Sequence, residues 1–164
     1  MSLIPEAVYE AVEKKLRQRD SMTRKAEEAV TRARARATDI SAPTGAGGGR
    51  GGMPGSRTER GALAIVRAEK RLERARAWEK VFRKMDEIYP EDTNEGYVAS
   101  MIYGNGLSQA ELARIGGCSR QTVKLRQDRY VIRAAFLAAQ AGLIREEVKE
   151  RGQTHQTDRG VEED

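Results

Sequence analysis

Apolar residues recur at intervals of three and four from Val8 through Val12, Leu16, Met22, Ala26, Val30 and Ala33 to Ala37. That is the interval at which side chains stack on one face of a helix. The pattern lapses around Asp20, so it predicts one long helix over 5–38, bent near 20–22. Glu10/Lys14, Glu13/Arg17 and Glu28/Arg32 stand four apart, acid first, the order that supports a helix. A second run, through Ile65, Ala68, Leu72, Ala75, Trp78, Phe82, Met85 and Tyr89, predicts a helix over 58–89 that Pro90 stops. Between them "SAPTGAGGGRGGMPGS" carries too much glycine and proline for any regular element and predicts a flexible loop over 41–57. Two arms of similar length, each about 50 Å at 1.5 Å per residue, suit an antiparallel helical hairpin over 1–89. Its stripe of Trp78, Phe82, Met85 and Tyr89 reads as core. Two helices alone bury little, so the stripe is expected to pack on a second chain, loosely as in a coiled coil, or on the C-terminal part; a homodimer is the simplest outcome.

The pattern changes after Pro90. A short apolar helix over about 94–103, with Val98, Met101 and Ile102, precedes "GLSQAELARIGGCSRQTVKLRQDRY". Ser108 with Glu111 has the spacing of a capping box, so a helix carrying Leu112, Ala113 and Ile115 opens there and ends at Gly116 and Gly117. Ser119 opens the next. Eleven residues between the two starts fit a two-turn helix plus the short turn of a helix-turn-helix. Ala113 is small where the helices would cross, Gly117 is free to take positive φ, and Val123 would point back at the first helix. The fold class expected is therefore all-α: a hairpin over 1–89, a trihelical helix-turn-helix domain over 90–144, and a polar, disordered tail over 145–164.

At 100° per residue, Arg120, Gln121, Lys124, Gln127 and Asp128 share one arc of the second helix, while Val123, Tyr130 and Leu137 share another. The polar arc is expected to face outward. Arginine, lysine and glutamine at a helix start match the edges of guanine and adenine in a major groove. Ser119, Arg120, Gln121, Thr122, Lys124 and Gln127 are thus candidate DNA contacts, with Arg126, Arg129 and Arg133 placed to reach phosphates. A solvated face on a structural helix pair is the competing interpretation.

Charge supports a polyanionic partner without proving one. The net charge is +5, and because the last 20 residues hold four basic and seven acidic side chains, 1–144 carry +8. No apolar run approaches the roughly 20 residues of a membrane span, and no signal-peptide core follows Met1, so the cytoplasm is the expected location and no membrane role follows. Cys118 has no second cysteine and His155 lies far away in polar sequence, which argues against a disulfide or a metal site and makes Cys118 a packing residue. The loop "GAGGGRGG" lacks the Gly-Lys-Ser/Thr ending of a phosphate-binding loop. With no paired acid, activated nucleophile or metal cluster, neither a cofactor nor an enzymatic activity is expected.

The stretch "YVASMIYGNGLSQAELARIGGCSRQTVKLRQDRYVIRAAFLAAQAGL", after the long charged helices and "GGMPGSRTER", resembles the small phage-encoded transcriptional activators of the RinA and ArpU type. Their helix-turn-helix looks like domain four of sigma factors. Tyr103, Leu112, Ala113, Gly117, Ser119, Thr122, Val123, Lys124, Arg126, Gly142 and Leu143 stand in the places of that pattern, whereas Gly116 and Cys118 replace apolar and aliphatic residues. The resemblance implies sequence-specific binding to double-stranded DNA and activation of a late packaging or morphogenesis operon, with RNA polymerase as a further partner. Two alternatives are a small terminase subunit, a class that usually carries its DNA reader at the N-terminus, and a helical adaptor that touches no nucleic acid.

Overall fold

The fold is all-α. The computed structural model describes residues 3–41 and 55–144, leaving aside the side chains of 39–41 and 55–58. Its elements are α1 (Glu6–Arg17), α2 (Arg19–Ser41), α3 (Gly55–Ile88), α4 (Asn94–Ala99), a π-helical segment (Ser100–Gly104), α5 (Gln109–Ile115) and α6 (Arg120–Gln140). No strand occurs among the described residues. The expected single first helix is two helices: the break falls at Gln18, ahead of the bend expected near 20–22. Most of the glycine-rich loop and all of the 145–164 tail lie outside the described residues.

The helices gather into two compact units, one formed by Asp20–Arg76 and the other by the described residues of Met1–Arg19 and Ala77–Asp164. The helix-turn-helix therefore shares its unit with α1 and the end of α3, which the hydrophobic pattern had grouped with the long helices.

In the 20–76 unit, Glu27 pairs with Arg76 at 3.5 Å and Arg34 with Glu69 at 2.8 Å, while a methyl added at Gly61 would sit 3.5 Å from Ala37 Cβ. As the α2 numbers rise the α3 numbers fall, so these segments pass in opposite directions. Val30, Ala68 and Ala75 are buried there. Its core is thin and made mostly of alanine.

The other unit holds most of the bulk. Ala11, Val12 and Leu16 of α1, Trp78, Val81, Phe82 and Met85 of α3, and Tyr130, Val131, Ala134, Ala135 and Ala138 of α6 are all buried. Three of the four stripe residues are core and the chain itself buries them, Trp78 and Met85 at 0% exposed and Phe82 at 3%, while Tyr89 is half-buried. That removes the reason for expecting this stripe to join two chains. Arg19 forks onto both carboxylate oxygens of Asp86, and the Tyr89 and Tyr130 rings lie 5.7 Å apart.

The chain turns sharply at Pro90, and α4 begins behind a Thr93 cap whose hydroxyl accepts from Gly96 N. Gly96 is required by proximity. A Cβ there would lie 2.1 Å from the Pro90 carbonyl oxygen, so any side chain would push the turn away from the helix. The helix then continues as a π turn, Asn105 N donating to Ser100 O at 3.1 Å. This lengthened segment carries Ile102 into the core and Tyr103 toward α6.

Candidate nucleic-acid interface

The helix-turn-helix is built by local chemistry. Ser108 Oγ caps Glu111 N and Glu111 reaches back to Ser108 N at 2.8 Å, which closes the capping box that the sequence predicts. Those hydrogen bonds from the Ser108 side chain and backbone hold the Glu111 carboxyl below the ordinary glutamate range. α5 ends after Ile115, and Gly117 reverses the chain at φ +59°, a conformation other residues adopt only with strain. Ser119 then caps α6, accepting from Thr122 N at 3.0 Å. Val98, Ile102, Leu112, Ala113 and Val123 close into one buried cluster, against which Met101, Tyr103 and Cys118 pack. Cys118 is a packing residue, as its isolation in the sequence suggests.

The orientation of α6 differs from the arc proposed on sequence grounds. Gln127 is only 4% exposed. Its amide accepts from Gln109 Nε2 at 2.6 Å and donates to Glu13 Oε1 at 3.1 Å and to the Tyr103 hydroxyl at 2.9 Å. Asp128 accepts from the Tyr9 hydroxyl at 2.7 Å. Both residues therefore face α1, and Gln127 is withdrawn as a DNA contact. The physical reason is that α1 packs along α6 and covers the downstream half of the arc.

What remains outward is the first two turns and a rotated stripe beyond them. Ser119, Arg120, Gln121 and Lys124 are exposed, and so is Leu125. Thr122 and Arg126 lie half-buried at one edge of that face. Arg120 Nε donates to Gln109 Oε1 at 3.4 Å, fixing its stem beside the start of α5. Arg129 and Arg133 are exposed farther along, but Arg129 already reaches Glu95 of α4 at 3.3 Å, so part of its charge ties α4 to α6. Leu125, 53% exposed, and Phe136, 51% exposed, were not foreseen as surface residues. At 100° per residue both fall about 140° or more from Val123, an angle that places them opposite the core.

The tyrosines behind this face are held neutral. Burial pushes the Tyr9 hydroxyl well above its ordinary value, reinforced by the hydrogen bond it gives Asp128. Burial also raises Tyr103, against the lowering effect of the Gln127 hydrogen bond. Tyr130 is pushed up to about 12 by burial, opposed by the Arg19 charge. The Arg17 guanidinium lies 5.6 Å over the Tyr103 ring. α1, α5, α6 and the π segment are thus joined through one polar knot beneath an exposed, basic helix start.

No helix among the described residues is long and apolar enough to cross a membrane. Comparison with known proteins finds no family model, curated protein or solved structure that matches this chain.

Proposed function

We propose that the chain binds double-stranded DNA in a sequence-specific way through α6 and regulates transcription, acting as an activator of a phage late operon. One observation carries the DNA reading: the exposed start of α6 presents Arg120, Gln121 and Lys124 together, on a helix that Gly117 and the packed α5 hold rigidly. Two exposed turns with side chains of that chemistry can enter a major groove, where such residues discriminate bases. Arg126, Arg129 and Arg133 add a salt-dependent attraction to phosphates. The activator role rests on the resemblance of Tyr103, Leu112, Gly117 and Thr122 to Lys124 to phage activators; RNA polymerase is the partner that role requires, and the host cytoplasm its place.

Selection from random duplexes with the full chain tests the reading. A defined sequence should be enriched, and Arg120→Ala or Lys124→Ala should each weaken its binding by about 1–3 kcal/mol. Absence of enrichment would sink specific recognition, and a reporter that the chain represses would sink activation. Leu125 and Phe136 favour a second reading, a protein partner docked on the same face, since two large apolar side chains left in water there suit an adaptor.

A further inference from the structure

Outside residues 20–76 acidic side chains offset the basic ones of α6, so the net basic excess of the chain lies in 20–76. Residues 20–76 hold thirteen Lys and Arg against seven Asp and Glu, a net charge of +6, whereas the whole chain carries +5. Within that unit α2 and α3 enclose a groove of about 520 Å³. Its floor is Ala29, Ala33 and Ala37 with Gly61, Ala64 and Ala68, and its rims are arginines: Arg32 and Arg36 on α2, Arg60, Arg67 and Arg71 on α3. Arg32 Nε donates to the Glu28 carbonyl one turn back. Among the described residues no carboxylate pairs with Arg36, Arg60, Arg67 or Arg71. Elsewhere in the unit Arg34 is matched by Glu69 and Arg76 by Glu27, so among the described side chains the groove gathers positive charge that no described carboxylate pairs.

We propose that this groove binds an acidic amphipathic helix of another protein. Packed helix axes lie about 8–10 Å apart, so two of them leave a furrow into which a third helix, about 10 Å across, can settle. A floor of methyl groups admits it closely and takes its apolar face, as grooves that capture helices do. The arginine rows would then meet carboxylates on both of its flanks. A second copy of this hairpin surface is disfavoured because it would bring arginine against arginine. A nucleic-acid strand would use the charges but leave the alanine floor without an apolar partner. This inference stands apart from the DNA reading, since it uses no residue of α6.

The test uses the full chain and a fluorescent synthetic peptide of about 18 residues, roughly five turns, with leucine and alanine on one face and glutamate on both flanks. Anisotropy should show saturable, salt-sensitive binding of one peptide per chain. Arg67→Gln with Arg71→Gln should weaken it about tenfold or more, since desolvated charge pairs govern such contacts. Ala33→Gln, which fills the floor and keeps every arginine, should weaken it comparably. Arg24→Gln and Arg83→Gln, outside the groove, should leave it unchanged, with circular dichroism confirming that all variants are folded. Equal binding of a scrambled peptide of the same composition would overturn the proposal, because charge alone would suffice. So would finding that the same arginines control duplex binding or self-association while the peptide does not bind.

Discussion

A glutamine amide inside a protein is tolerated only when its donors and acceptor are all used, because each one left bare costs more than a made bond returns. Gln127 meets that condition through Gln109, Glu13 and Tyr103. Its substitution should therefore read as a stability defect. Gln127→Ala removes three part-buried hydrogen bonds and leaves a gap where the buried amide packed, so denaturant unfolding should show a loss of about 1–3 kcal/mol. DNA affinity per folded molecule should hold steady. A variant of normal stability and reduced affinity would return Gln127 to the arc proposed to face DNA and contradict the burial described above.

At the scale of the element, α6 depends on its first turn. Ser119 Oγ satisfies Thr122 N, one of the donors that a helix start leaves open, and the same hydroxyl lies 2.9 Å from Thr122 Oγ1. Ser119→Ala should lower stability by about 1 kcal/mol, and Ser119→Asp should restore it, both seen in thermal melts. Full stability in the alanine variant would show that the cap does not hold the start of α6. Such features were legible beforehand because they are local: Ser108 with Glu111, Gly117, and Ser119 as a helix start each act within a few residues. The facing of α6 was not legible. Tyr9 meets Asp128 and Glu13 meets Gln127 across more than a hundred residues, and nothing in the pattern near 127 announces that α1 will lie there. For the same reason α1 was grouped with the long helices.

On the scale of the whole molecule, three tyrosines set the alkaline limit. Tyr9, Tyr103 and Tyr130 keep their protons in the folded chain above the ordinary tyrosine value of about 10. An unfolded chain loses them first. Their contribution to stability is thus whole below about pH 10 and drains as the pH rises toward the Tyr130 value of about 12. The denaturant midpoint should fall across that window as phenolate absorbance rises. A flat midpoint there would mean that these hydroxyls reach water in the native state. Trp78, meanwhile, is the single tryptophan and is wholly buried in the unit that contains the helix-turn-helix. Its emission should be blue-shifted and should report the melting of that unit alone, whereas far-ultraviolet circular dichroism sums over every helix. Heated together, the two signals will coincide if the chain unfolds as one cooperative body. If the alanine-cored helices melt independently, ellipticity will decline first while the fluorescence stays native, making Trp78 an optical label for the helix-turn-helix unit.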